Sequence, residues 1–204
     1  MKIAVFGTGE VGSAMAGRLR DLGHEVVFGS RQPDDPQDGI RVLGHAEAAA
    51  HAEWIVNALH GEHAMATLPP LDLAGKLLVD QGNWQSAIDG PIVETLGETL
   101  QRALPRTRVV KAMNFVSAQL MGHPGKLAGR HSVFVAGNDV EARTAVAALL
   151  REIGWQDVID LGDLTACRAM ESLAPLWIRL NSRLDSVWFN LEVVRESPGD
   201  LPGQ

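Results

Sequence analysis

A chain of 204 residues with 46% hydrophobic content can bury one good core, so the natural count is one domain with an extension. A formal charge of −7 argues against nucleic acid as the main partner, because a phosphate-binding surface needs a basic footprint. No apolar run approaches the roughly 20 residues of a membrane span, and Met1 leads straight into a strand-like run, so no membrane partner and a cytoplasmic location are expected. The single cysteine, Cys167, rules out an intrachain disulfide, a C-x-x-C redox pair and a thiolate zinc site, and the absence of tyrosine removes the Tyr-Lys acid of short-chain dehydrogenases.

Lys2-Ile3-Ala4-Val5-Phe6 is an apolar run of strand length, followed at once by Gly7-Thr8-Gly9-Glu10-Val11-Gly12, which fits G-x-G-x-x-G. Val11, Ala14, Met15, Leu19 and Leu22 then recur at the spacing of one buried helix face, with Gly23 where a helix C-cap belongs. His24 to Phe28 returns as a second strand, completing a βαβ unit. In such a unit Gly7 permits the tight turn, Gly9 lets a pyrophosphate approach the backbone, and Gly12 lets the helix pack on the sheet. The free N–H groups of the first helical turn face the phosphates.

The end of the second strand selects the dinucleotide. NAD sites place Asp or Glu about 20 residues into the unit, on the ribose hydroxyls. Here that place holds Gly29, Ser30 and Arg31, a hydroxyl and a guanidinium suited to a 2′-phosphate, so NADP(H) is favoured over NAD(H). The plainer alternative is that Ser30 and Arg31 only open a solvated loop. Asp34, Asp35 and Asp38 follow, so no second phosphate-binding cation is present there.

Further along, residues 32–45 read as a loop with a short strand at 40–43, and residues 46–50 as a short helix. Residues 54–59 form an apolar strand of the kind buried on both faces of a parallel sheet, and its end, Asn57, Ala58 and then His60-Gly61-Glu62-His63, is expected to border the cofactor. His60 and His63 have metal-like spacing but no third ligand, so no metal is expected. Residues 77–79 predict a strand ending in Asp80-Gln81-Gly82-Asn83-Trp84, Pro91 to Leu104 a helix, and residues 108–114 a strand that brings Asn114 to the same edge. Lys111 in that strand is either a catalytic cation or the partner of a buried acid. Residues 131–137 read as a strand, 140–153 as a helix capped by Asn138-Asp139 and ended by Gly154, and 155–161 as a last strand. A sustained apolar stripe, including Leu173, Trp177, Leu184, Trp188 and Val194, predicts one long helix from Leu164 to about Arg195, kinked at Pro175. Such a stripe either packs on its own subunit or meets the same stripe of a partner.

G-T-G-E-V-G at Gly7 to Gly12, G-S-R at Gly29 to Arg31, V-V-K-A-M-N at Val109 to Asn114, F-V-A-G-N-D at Phe134 to Asp139, and D-L-T-A-C-R-A-M-E with L-W-I within Asp163 to Ile178 occur in order across nearly the whole chain. Together they resemble the deazaflavin-dependent NADP oxidoreductase family, the NADPH-dependent coenzyme F-420 reductases and their relatives. The resemblance implies a Rossmann domain with a small C-terminal part, NADP(H) on the glycine turn and the Ser30-Arg31 corner, hydride exchange with a deazaflavin ring, and a homodimer. The chain departs from the family pattern where Asp34 and Asp35 replace a helpful basic residue, at Met113 before the strand-end Asn, and at His60-Gly61.

The expected fold is α/β: a doubly wound parallel sheet of Rossmann type over 1–137, a small C-terminal α/β extension over 138–197 ending in a long helix, and a disordered tail over 198–204. The expected function is hydride transfer between NADP(H) and a flat redox ring, deazaflavin or flavin, as a small-molecule acceptor. Such transfer needs stacked geometry more than a protein acid, so no catalytic residue is assigned. In this reading Gly7, Thr8, Gly9, Glu10, Val11 and Gly12 hold the pyrophosphate and Ser30 and Arg31 the 2′-phosphate. Asn57, Ala58 and His60 border the nicotinamide, with Asn83 and Asn114 in the same cleft. Two alternatives stand beside it: a module that senses NADP(H) without turnover, and an imine or carbonyl reductase, which would need a proton donor and a longer helical domain.

Overall fold

Apolar side chains alternate between the two faces of successive strands, and that alternation dictates helices on both sides of one sheet. In the computed structural model, which describes residues 1–33, 36–86 and 90–195, the strands are β1 (Lys2–Phe6), β2 (Glu25–Ser30), β3 (Arg41–Gly44), β4 (Trp54–Asn57), β5 (Leu77–Asp80), β6 (Arg108–Ala112), β7 (Ser132–Gly137) and β8 (Asp157–Asp160). They form a single sheet in the order β3-β2-β1-β4-β5-β6-β7-β8. Ile3, Val5, Val56 and Val110 point to one core, under helices α1 (Glu10–Asp21) and α6 (Val140–Ile153). Ala4, Phe6, Ile55 and Val109 point to the other, under α2 (His45–His51), α3 (Gly61–Thr67) and α4 (Leu96–Ala103). The first six strands have the order of a dinucleotide-binding sheet, all parallel.

The parallel sheet expected from the sequence stops at β6. Strand β7 pairs antiparallel to it, Val110 opposite Gly137, because the connection, including the one-turn helix α5 (Ala118–Met121), begins and ends at the same edge of the sheet. Strand β8 then pairs parallel to β7.

Two helix predictions need correction. Helix α4 begins at Leu96, not near Pro91: Thr95 caps it by accepting from the Glu98 N–H, and its hydroxyl donates to the Glu98 carboxylate at 2.5 Å. The long C-terminal helix is three shorter pieces. A 3-10 turn (Leu164–Ala166) leads into α7 (Cys167–Glu171), and α8 (Leu173–Leu184) ends at Asp185, which has the left-handed φ of 48°. Pro175 lies in the first turn of α8, where its missing N–H costs no helical bond, so the break falls at Ser172 instead. Beyond Asp185 the chain runs back to the sheet, where the Leu191 carbonyl accepts from the Ser132 N–H at 2.8 Å and the half-exposed Arg195 pairs with the buried carboxylate of Asp157 at 2.6 Å. Asp34 and Asp35, and the tail expected to be disordered, lie outside the described residues.

Candidate functional site: a cleft along the strand ends

The glycine turn is built by contacts that only glycine permits. Gly7 has φ +114°, and a Cβ on Gly12 would lie 1.9 Å from the Gly7 carbonyl oxygen, so the helix can approach β1 only because that atom is missing. Gly9 differs: a Cβ there would meet nothing within 4 Å, so the space in front of it is open. Gly9 is also the N-cap of α1 and contributes no side chain. The first helical donor with a partner is Ser13 N–H, 2.8 Å from the Gly9 carbonyl, so the N–H groups of Glu10, Val11 and Gly12 are unspent within the helix. Open space before a row of free donors at a positive dipole end fits a pyrophosphate. Gln37 braces the turn from the loop after β2, donating to the Thr8 carbonyl at 3.2 Å and to the Ser13 hydroxyl at 2.8 Å.

At the end of β2, Gly29 sits over the Phe6 ring, 3.0 Å from where a Cβ would be, which leaves poor room for the carboxylate of an NAD site. Ser30 and Arg31 line a cavity of about 470 Å³ together with Gly7, Thr8, His45 and His63. Among the described residues no carboxylate pairs with Arg31. His45, packed on the Phe6 ring at 5.5 Å between centroids, has its pKa lowered by burial and then by the Arg31 charge. A hydroxyl, an unpaired guanidinium and a histidine around one cavity fit a phosphate monoester.

A second cavity, of about 510 Å³, lies over the ends of β1, β4, β5 and β6 and is roofed by Trp177 and Ile178 of α8. Gly9, Glu10, Val11, Ala58, His60, Asn83 and Asn114 all line it, while Leu59 borders both cavities and joins them. His60 and His63 open into different cavities.

Asn57 does not line either cavity. It is fully buried, donating from Nδ2 to Asp80 at 2.8 Å and accepting from the Leu59 N–H at 3.2 Å, so it shapes the loop after β4 from beneath rather than bordering a ligand. The same Asp80 oxygen accepts from the Gly82 N–H at 3.0 Å, and its other oxygen lies 2.8 Å from Lys111 Nζ. Lys111 also sits 3.0 Å from Glu171, whose carboxylate accepts from the N–H groups of Leu96 and Gly97. Burial alone would lower the Lys111 pKa, but Asp80 and Glu171 hold it above the ordinary lysine value. Lys111 is therefore a buried cross-link between β5, β6 and α7, outside the cleft. Cys167 beside this network is pushed up to about 12 by burial, which leaves it a protonated, unreactive thiol.

Residues 2–83 match the family model described as NADP oxidoreductase, coenzyme F420-dependent. The F420-dependent NADP reductase of Methanothermobacter marburgensis is 32% identical over 209 residues, covering 89% of this chain and 92% of that protein. The chain belongs to the F420-dependent NADP oxidoreductase family. A solved structure from Arthrobacter sp. FB24, assigned as an F420-dependent NADP-reductase, is 43% identical, covers 96% of this chain and all of its own, and superimposes with a TM-score of 0.87. Human metalloreductase STEAP2 is 32% identical over 91% of this chain, but the chain spans only 37% of that relative's length.

Sequence reasoning missed much of the larger cavity's lining, Gln81, Ser117, Gln119 and Trp177 among it, and His45 and Gln37 near the smaller one. Gln81 had a usable signal, since it follows β5 at the same edge as Asn83. The others reach the cleft from helices or loops whose approach no spacing encodes.

Proposed function

We propose that the protein is an NADP(H)-dependent oxidoreductase that moves hydride between the nicotinamide and a flat redox ring of the deazaflavin or flavin kind. The observation that carries this reading is the paired cleft: a phosphate-suited cavity at Ser30 and Arg31 continuing past the glycine turn into a larger, mainly apolar one. The first is placed for the adenosine 2′-phosphate; the N–H groups of Glu10, Val11 and Gly12 hold the pyrophosphate; Ala58, His60, Asn83 and Asn114 line the space for the reacting rings. The nicotinamide supplies the hydride when bound, and the acceptor ring delocalises the charge it receives, so the protein's task is to orient and desolvate both. Among the described residues, Glu10 and His60 are the only ionisable side chains lining the larger cavity, and both are exposed, which favours a ring acceptor over an imine or carbonyl needing a buried proton donor. The names of the archaeal relatives support F420 as that ring.

The exposed apolar side chains of Leu176 and Leu184 on α8, with Trp188 and Val194 beyond it, support a homodimer joined through this face. No helix among the described residues is long and apolar enough to cross a membrane, in keeping with action in the cytoplasm.

The test is steady-state oxidation of NADPH with coenzyme F420, a synthetic deazaflavin and free flavins. Turnover with at least one ring, and faster with NADPH than NADH, is expected. Tight NADPH binding with no turnover across the panel would contradict the enzyme reading and leave a redox sensor.

A further inference from the structure

One guanidinium is an incomplete match for a phosphate monoester, which carries roughly 1.5 to 2 negative charges near neutral pH. After Arg31 the chain has no lysine or arginine until Arg41, at the far end of β3, so the loop after β2 offers no second cation. The sheet register brings a titratable group to the same corner. Strands β2 and β3 run parallel with Ser30 opposite Gly44, and Arg31 and His45 are the next residues off the two strand ends. Neighbouring strands lie about 4.8 Å apart, so these residues stand side by side although a loop and a strand separate them in the chain.

The Phe6 ring is the floor beneath this corner. A Cβ on Gly29 would lie 3.0 Å from it, and the His45 ring packs on it with centroids 5.5 Å apart and planes inclined by 32°. His45 is partly buried there, and among the described residues neither ring nitrogen has a hydrogen-bond or carboxylate partner. The 470 Å³ cavity it lines holds two other ionisable side chains among the described residues, Arg31 from the end of β2 and His63 from α3, and no carboxylate. Glu47, on the same helix as His45, and Arg41, on β3, do not line it.

Burial, and then the Arg31 charge, lower the His45 pKa from 6.5, so the ring is uncharged near neutral pH in the protein by itself. A phosphate between His45 and Arg31 reverses that balance, because an opposite charge within about 4–6 Å favours the imidazolium. The Phe6 face beneath can carry the cation, since an aromatic ring attracts one within about 6 Å. Resting on the reading of this corner as the 2′-phosphate site, we propose that His45 is a second ligand of that phosphate and takes up a proton from solvent as NADP(H) binds. The proton goes to a ring nitrogen, whose N–H donates to a phosphate oxygen beside the Arg31 guanidinium. Ser30 Oγ accepts from the Gln32 N–H at 3.2 Å, which leaves the Ser30 hydroxyl hydrogen for the same group. NAD(H) lacks the phosphate and binds without this proton, so the preference for NADP(H) is itself pH-dependent.

The test is calorimetric titration of the full chain with NADP⁺ and NAD⁺ at about pH 6.5, 7.5 and 9, in pairs of buffers of different ionisation enthalpy so that protons taken up are counted. His45→Gln and His45→Phe are titrated alongside; the second keeps an aromatic ring on Phe6 and cannot titrate. The phosphate has its own proton equilibrium, and the difference between parent and variant isolates the His45 share. Near pH 7.5 the parent is expected to take up about half a proton more than either variant on binding NADP⁺, and no more than they do on binding NAD⁺. Both variants should weaken NADP⁺ by about tenfold at pH 6.5, the size of a charge-assisted hydrogen bond, and by under about threefold at pH 9, with NAD⁺ within about twofold throughout. Unchanged NADP⁺ affinity and proton count in both variants, with the parent still preferring NADP⁺, would overturn this proposal and leave the phosphate site at Ser30 and Arg31 standing. A loss of the same size at every pH, with no change in proton count, would also overturn it, making His45 a neutral contact. Equal losses for NADP⁺ and NAD⁺ would assign the ring to the shared adenosine and overturn it as well. A parent that binds the two dinucleotides equally would sink the phosphate reading itself, and this proposal with it.

Discussion

Lys111 shows at the scale of one residue how the sequence can name a group without naming its use. It has no exposed surface, and neither does Asp80; Glu171 is 3% exposed. Two carboxylates surround one ammonium, and backbone N–H groups donate to their oxygens. Lys111→Met should cost about 3–5 kcal/mol, because it strands buried negative charge; adding Asp80→Asn and Glu171→Gln should recover much of the loss. Urea unfolding measures both, and a loss under about 1 kcal/mol for the single change would show that the network is not a structural cross-link. From sequence, Lys111 could be either catalytic or paired, since its partners lie 31 and 60 positions away along the chain and only the fold brings them together. The glycine turn was legible because its demands are local: Gly7 and Gly12 meet each other across a single turn. Asn57 was misread for the opposite reason. Its position at a strand end was right, but the alternation of the strand turned its side chain inward to Asp80.

Elements divide in the same way. Strands β1, β4 and β5 and helices α1 and α6 lie where apolar periodicity and caps put them, since Asp139 and Gly154 mark the ends of α6 in the sequence itself. Helix α4 was placed too early because Pro91 is a plausible first-turn residue, whereas the capping box of Thr95 and Glu98 carries the stronger signal. The C-terminal stripe misled most. Its period of 3.6 continues past Leu184, but Asn181 Nδ2 donates to the Ser186 carbonyl at 3.0 Å and turns the chain out of the helix. Residues beyond the turn then split: Val187 lines the cleft, while Trp188 and Val194 remain 48% and 86% exposed. Periodicity reports that residues could share a face, not that the backbone keeps them on it.

For the whole molecule, three partly covered or exposed histidines contribute to the response to acid. The pKa values of His24, His45 and His123 are all lowered from 6.5, burial being the largest cause in each. Nearby positive charge adds to it: the N-terminal amine for His24, Arg31 for His45, and Lys126 and Arg18 for His123. With folded values below the unfolded one, the unfolded chain binds more protons under about pH 6.5, so stability is full above that pH and falls as acid is added. Asp157 adds a second step. Burial would raise its pKa, but the Ser132 hydroxyl, Arg195 and Arg130 hold it below the usual 3.8, so its contribution is present above that value and lost below it. Urea midpoints should therefore decline from pH 7 to 5 and again below about pH 4. A midpoint that is flat from pH 7 to 5 would contradict the first step.

The claim on which the function rests is that the corner after β2 binds a 2′-phosphate. Its most direct test is titration of the purified protein with NADPH and NADH beside an Arg31→Ala variant. NADPH is expected to bind much more tightly than NADH, and the variant to weaken NADPH by about ten- to a hundredfold, the size of a charge-assisted hydrogen bond to phosphate, while NADH binding barely changes. Equal affinity for the two cofactors, or an Arg31→Ala variant that binds NADPH like the parent, would show that Ser30 and Arg31 only begin a solvated loop.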